Sequence, residues 1–569
     1  MVIFDDIRSA AVRTGLAAID YETTELSPLE GKLTEVNIAV PGQSWSIPVA
    51  EPMSKWLAGV RSLYECGAQV VHWKSFFDQS FHPKYGLPLY GNVHDAKAAF
   101  WLLEPQDWAP KGLKDRGELE FGVKAIRYHE VDQRSLRQRE QYGKQDAEWT
   151  LKLYQLAVPL LKQEGLWDIF INVYPRLTPI AVEMRLTGLK VDRTGLLKLK
   201  KEFLQEQDDN LHKIRVYRPG LNPNSPAQVA DLLYKELKLK PPHPKFLEKG
   251  KAGHESTAAD AVKYMVKQHD VAGLLLEHRE ITKLIGTYIE PLLDQSASDP
   301  RGRIHSEFNP IGTDTGRWSS YGTAGEGMNL QNIPAKTDRG KRIKKCFVAE
   351  EGNRWSRADY QQMELRVNAQ IAHERRMTQA FKDGRDLHQE LADAIPCKRA
   401  DAKAVAFGYA YGMWPKKFAI KYAYPLPEAR RFRAGYFRMY PDLQAHHACT
   451  EMLVRDDPWA RTLGGRKFYL GFLPIEGGER MRKALNTPVQ GSVADFINRA
   501  LVDLAAWRDI YGVPFRFLSQ VHDEINLEVP DAYAELVAEM LERIMVESAP
   551  LPDVPVEAEV TVGDRWLMK

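Results

Sequence analysis

The chain has 569 residues, material for roughly three or four domains at about 150 residues each, and its 44% hydrophobic and 27% charged residues exclude wholesale disorder and a coiled coil. No run nears the ~20 apolar residues of a membrane span, the N-terminus carries Asp5 and Asp6 where a secretory signal would be basic, and four scattered cysteines without C-x-x-C give neither a zinc site nor a disulfide framework. The net charge of +2 leaves nucleic acid undecided, because distribution carries that signal, so composition predicts only a large soluble intracellular protein.

In chain order, short apolar runs predict strands at LAAID (16–20), TEVNIAV (34–40) and AQVVHW (68–73), with a helix over 53–66. The pattern turns helical from Tyr142 to Gln163, and a composition shift follows at 174–187. Residues 222–288 read as largely helical, broken by a Pro/Gly loop at 240–254, with Ser256 as the N-cap of the next helix. Strand signals return at RIHSEF (303–308), RWSRADY (354–360) and FRFLSQVHDEINLEV (515–529), with helical material between. No repeat of 20–50 residues is present.

Two sets of acids carry chemistry. Asp20 and Glu22 close the LAAID strand at i and i+2, so both point to one face and can share a hard divalent cation. Most such pairs are merely solvated. Tyr142 and Asp146, one helical turn apart, add a carboxylate for a second ion and a phenol to orient a water, as two-ion phosphodiester hydrolysis needs. The second set is Asp359, with Glu364 beyond it, and His522-Asp523-Glu524 between two apolar runs, a hairpin setting. Between them Arg399, Lys403, Phe407 and Tyr411 fall every fourth residue, one stripe of two cations and two aromatics. Such a stripe can grip a triphosphate and stack a base.

These residues sit in motifs that resemble the family A DNA polymerases: TGRWSS (315–320), NLQNIP (329–334), DYQQMELR (359–366), R-x-x-x-K-x-x-x-F-x-x-x-Y-G-M (399–413), TPVQGSVAD (487–495) and QVHDE (520–524), in that order, before the closing GDRWLMK. The resemblance is to the DNA polymerase I type, and within it to compact phage-encoded members. It implies an α/β and α+β multidomain fold, an RNase H-like 3′–5′ exonuclease domain followed by a right-hand polymerase. The exonuclease would span 1–165, a mainly helical thumb with the start of the palm 166–300, the palm 301–375 and 478–569, and the fingers 376–477.

By the same resemblance, Asp359 and Asp523 hold two Mg²⁺ ions, with Mn²⁺ able to substitute, and Glu524 supports them. Arg399, Lys403 and His388 bind the triphosphate, Phe407, Tyr411 and Gln362 contact the incoming nucleotide, and Glu364 is the gate against a ribose 2′-hydroxyl. Arg317, Arg482, Asn486, Gln490 and His522 line the DNA minor groove, where every correct pair offers similar acceptors. Gln331, Asn332, Arg279, Lys283 and Tyr288 join the DNA set, and the basic run 336–345 becomes a phosphate contact.

Asp20 and Glu22 match the first exonuclease motif, and Tyr142 with Asp146 the third, a second site for two ions. The second motif departs: where the family has H-N-x-x-F-D, HWKSFFD has Trp73 for Asn and one extra residue before Asp78. Asp78 is expected as a ligand through a bulge, and Asp95 as structural. The first exonuclease acid at residue 20 implies no 5′-nuclease domain. Implied partners are primer-template DNA and dNTPs, with no membrane and with room for a replisome helicase or single-strand-binding protein. The rivals are the same polymerase with a vestigial exonuclease, and a non-catalytic DNA-binding relic.

Overall fold

The computed structural model describes residues 2–567 apart from 106–108, 133, 242–243, 249–252 and 324. An N-terminal helix, Val2–Thr14, leads into a five-stranded mixed sheet built from β1 (Leu16–Thr23), β2 (Leu33–Val40), β3 (Gln43–Pro48), β4 (Gln69–His72) and β5 (His94–Asp95). The order is β3-β2-β1-β4-β5. β1 runs antiparallel to β2 and parallel to β4. Because β1 is covered on both faces, Ala17, Ala18, Ile19 and Tyr21 are all buried, and acids first appear at its open end.

The helix Leu136–Gln163, capped by Ser135, lies across β1 and β2. It can lie that close because residue 143 is glycine: a Cβ there would sit 2.3 Å from the Asn37 side chain of β2. That approach places Tyr142 and Asp146 over the end of β1. The composition shift at 174–187 falls inside one continuous helix, Trp167–Thr187, which accommodates Pro175 and Pro179. This helix packs on β5 and on the palm strand Arg516–Val521, so it joins the two halves.

The palm sheet has four antiparallel strands in the order Arg516–Val521, Glu524–Pro530, Asn353–Tyr360, Ala558–Gly563. Its core merges with that of the long helix Glu479–Tyr511. The fingers are a separate helical core around Leu391, Val405, Phe418 and Tyr436. The thumb pairs the helices Arg193–Tyr217 and Asp270–Lys283, the latter continuing through a π-helical stretch at Leu284–Ile289. The architecture is thus a right hand with an α/β domain attached.

Three local expectations shift. The helix expected to start on Ser256 begins at Ala259, because Ser256 Oγ already accepts the Ala258 N–H at 3.3 Å in a tight turn. The 240–254 loop contains a single 3₁₀ turn at Pro244–Leu247, and its residues 242–243 and 249–252, like the final Met568 and Lys569, lie outside the described residues. Within the basic run 336–345, the two arginines turn to the thumb, while Lys336 and Lys341 are exposed and Lys336 lines the cleft of the palm acids. Arg339 pairs with Glu206 at 2.6 Å and Glu277 at 2.5 Å, and Arg342 with Glu202 and, at 3.1 Å, Glu206. These arginines are engaged by the chain's own acids, which corrects their expected role as phosphate contacts.

Candidate active sites

At the palm centre, Asp359 ends its strand directly opposite Glu524, and Asp523 sits in the two-residue turn between the hairpin strands. His522 takes a left-handed φ of 59° to make that turn, and Gln520 braces it by donating to the His522 carbonyl at 2.5 Å. Gln331 donates in turn to the Gln520 carbonyl at 3.1 Å.

The three acids have different environments. Glu524 is 5% exposed and surrounded by donors: Asn526 at 2.9 Å, Trp566 Nε1 at 2.5 Å, Lys344 at 3.5 Å and Arg357. Burial works against its charge, but Lys344 and Arg357 outweigh it and hold the carboxyl below its ordinary range. Asp359, half-buried and facing Asp523, is pushed up to about 7, and Asp523 up to about 6, chiefly by burial, although Arg357 meets Asp359 as well as Glu524. Arg357 was missed by sequence reading, although a signal existed: at i−2 from Asp359 it shares that face of the strand, and its guanidinium meets Asp359 Oδ2 at 2.7 Å.

A cleft of about 530 Å³ connects Asp359, Asp523, Glu524 and His522 to Lys283, Tyr288, Gln331 and Asn332. Arg279 does not line it, since its guanidinium is turned to the Thr257 carbonyl at 2.6 Å inside the thumb. Across from the acids, the predicted stripe forms on the helix Arg399–Ala410, with Tyr411 at its C-cap. Arg399 pairs with Asp386 at 2.7 Å, Lys403 is exposed, and Phe407 lies 6.1 Å from the buried His388 ring. Phe407 and Tyr411 line a second opening of about 450 Å³ with Arg482, Asn486 and Gln490. Between the two, Glu364 accepts from both Arg317 and Tyr411, while Gln362 caps the same helix with a left-handed φ of 52°.

At the N-terminal centre, carboxylate oxygens of Asp20, Glu22 and Asp146 all lie within 4.8 Å of one another, a donor set that suits a hard divalent ion. Burial, reinforced by Asp78, pushes Asp20 up to about 7; burial and Asp20 push Glu22 up to about 8. Tyr142 stands beside them, its phenol raised by burial and by these acids.

Asp78 lies outside this triad. The extra residue in its motif makes a short helix, Ser75–Ser80, that aims Asp78 under β1, where its Oδ1 accepts the Tyr21 N–H at 3.1 Å and its Oδ2 lies 3.4 Å from His72 Nδ1. Behind it runs a buried chain of hydrogen bonds, His72 to Tyr64 to Tyr21 to His82. Asp95 accepts from Ser75 N at 2.9 Å and Ala98 N at 3.1 Å, capping two helices. The unforeseen member is Lys114, paired with Asp146 and lying 4.1 Å from the Tyr142 ring centre. Burial lowers it to about 8.

Taken together, the chain is a right-hand fold whose acid-floored cleft faces a cation-aromatic helix. The sequence model of DNA polymerase family A matches residues 193–568, and the chain belongs to that family. DNA polymerase I of Chloroflexus aurantiacus is 30% identical over 96% of this chain, and thermostable DNA polymerase I of Thermus aquaticus 36% identical over 71%. The chain spans 61% and 49% of the lengths of these two relatives. The POL domain of Pol1 from M. smegmatis, solved in complex with DNA primer-template and dNTP, superposes with a TM-score of 0.87 at 26% identity, covering 99% of this chain and 97% of that one.

Proposed function

We propose that this chain is a template-directed, DNA-dependent DNA polymerase that adds dNMP units to a primer 3′-hydroxyl during DNA replication in the cytoplasm. One observation carries the reading: in a family A chain, Asp359 and Asp523, both pushed up by burial and neighbouring acids, lie on the floor of an open cleft that also contains thumb residues Lys283 and Tyr288. Two divalent ions, Mg²⁺ or Mn²⁺, held by Asp359 and Asp523 would supply the charge that activates the hydroxyl and neutralises the leaving pyrophosphate.

The chain's own groups do the rest. Glu524, anchored by Lys344, Arg357 and Trp566, orients the two aspartates. Lys403, Arg399 and His388 bind the triphosphate, and Phe407 and Tyr411 pack on base and sugar. Glu364, pinned by Tyr411, fills the space a 2′-hydroxyl would need. Arg317, Arg482, Asn486, Gln490 and His522 follow the minor groove, and Lys283, Tyr288, Gln331 and Asn332 the duplex behind it. Arg279 supports the thumb from within. Domain limits of 1–165 for the exonuclease, 166–300 for the thumb, 376–477 for the fingers, and 301–375 with 478–569 for the palm complete the assignment. Primer extension by Asp523→Asn tests it: retained extension with intact DNA binding overturns the reading.

A second activity, 3′–5′ proofreading, is favoured by the converged oxygens of Asp20, Glu22 and Asp146 under Tyr142. Its test is decay of a labelled single strand from the 3′ end in Mg²⁺ without nucleotides.

A further inference from the structure

The N-terminal centre contains a cation of its own. Lys114 sits in the first turn of the helix Leu113–Phe121, and that helix is fixed on three sides. Gly117 lets it press on Trp149, where a Cβ would fall 2.1 Å from the indole. Arg127 ties it through Asp115 at 2.9 Å and Glu118 at 2.7 Å. Arg116, 3% exposed, anchors it to Glu104 at 2.7 Å while covering the Phe100 ring at 4.0 Å. The helix therefore has one way to lie, and it delivers the ammonium to Asp146 over the face of Tyr142. An ammonium on an aromatic face, beside a buried carboxylate, is held by both attractions.

The acid that a second ion would need is directed elsewhere. Asp78 accepts the β1 N–H of Tyr21 and faces His72, and only Asp20, Glu22 and Asp146 converge among the described residues. Asp78 adds its charge to the field on Asp20 and Glu22 while facing His72, and within the converged triad one divalent ion and one ammonium match three carboxylates.

We infer that Lys114 is a catalytic residue of the N-terminal centre, supplying the second positive charge, so that this centre takes one divalent ion and not two. The inference rests on the proofreading assignment. In the hydrolysis, a water oxygen forms the new bond to phosphorus and the P–O3′ bond breaks with its electron pair on O3′. One water proton ends on that O3′ and the hydroxyl remains on the released nucleotide's phosphate. Lys114 faces the phosphate during this step, beside the ion held by the triad.

The test counts ions. In a chain carrying Asp359→Asn and Asp523→Asn, which removes the palm carboxylates, bound Mn²⁺ is measured from the electron paramagnetic resonance of the free ion. The expected count is one per chain, unchanged in Lys114→Arg. With the palm intact, Lys114→Met should slow 3′ decay of a labelled strand about a hundredfold, and Lys114→Arg much less. Primer extension reports that the palm-intact variants are folded, and far-UV circular dichroism that the palm-substituted chains are. Two Mn²⁺ per chain with Lys114 present, or unchanged decay in Lys114→Met, overturns the inference. One Mn²⁺ per chain with no decay in the unsubstituted protein defeats the proofreading assignment instead and leaves the charge arrangement standing.

Discussion

The two acid centres are built from opposite materials. In the palm, Asp359 and Glu524 come from adjacent strands and Asp523 from the hairpin turn beside them, so strand register and one tight turn set their spacing. At the N-terminal centre, Asp20 and Glu22 come from a strand and Asp146 from a helix laid over it, so spacing depends on a packing contact, Gly143 against Asn37. Counter-ions follow the same division. The palm brings Lys344 to Glu524 and shares Arg357 between Glu524 and Asp359, whereas the N-terminal centre brings one lysine to Asp146.

The largest effect expected from this contrast is at the palm turn. Asp523→Asn keeps the shape of the hairpin and removes one charge, so extension should fall by at least ~10³-fold while primer-template binding persists. Single-turnover extension beside a binding titration checks it, and a loss under tenfold would undo the palm half of the comparison. Asp20→Ala should stop 3′ decay and leave extension within about twofold, since the two centres share no residue; a parallel fall in both activities would show them coupled.

Next in size is the sugar gate. Glu364→Ala frees Arg317 and Tyr411 and should raise ribonucleotide incorporation by about ten- to a hundredfold, a difference of one or two tenfold steps in discrimination. Competition between ATP and dATP opposite template T reads it directly. Asp78 offers a sharper distinction. Asp78→Asn retains an acceptor for the Tyr21 N–H, and Asp78→Ala strands that buried donor at a cost of about 1–3 kcal/mol. Loss of decay in Ala with retention in Asn marks Asp78 as a positioning residue; loss in both marks it as a ligand.

The smallest effect is on pH dependence. In the folded chain stripped of metal, Asp20 near 7 and Glu22 near 8 bind protons that the unfolded chain releases near pH 4. The folded state therefore holds more protons in between, so this stabilisation is complete below about pH 4 and is lost as pH rises through 7 to 8. Melting in EDTA should show a midpoint that falls between pH 5 and 8, with a shallower slope in Asp20→Asn, Glu22→Gln; an unchanged slope would remove these acids as its source.

Much of the palm was legible because its chemistry is local. Asp359, the stripe from Arg399 to Tyr411 and the His522–Glu524 turn each follow from spacing along one element, and all three face the same cleft or the helix across it. The N-terminal centre was legible only in pairs: strand period gave Asp20 with Glu22, and helix period gave Tyr142 with Asp146. Lys114 carried no signal, because the helix that aims it is positioned by Trp149 and Arg127, contacts that no local pattern encodes. The basic run 336–345 was read as one patch, but its members divide: the acids that engage Arg339 and Arg342 lie over 50 residues away in the thumb, and Lys344 turns to Glu524. Asp78 was correctly seen as irregular, yet whether an extra residue makes a bulge or a helix depends on the caps that Asp95 supplies.

That thumb contact also bears on mechanics. Arg339 and Arg342, on a helix next to the palm sheet, grip Glu202, Glu206, Glu277 and Glu280, which lie on both long thumb helices. All of these side chains are partly open to water, yet the pairs are in direct contact, far inside a Debye length of about 8 Å at physiological salt, so added salt weakens them only modestly. Beneath them Phe203, Ile281 and Leu284 of the thumb share one apolar core with Phe347 and Trp355 of the palm. The digit therefore has an apolar root with a charged clasp laid over it, and salt reaches the clasp but not the root.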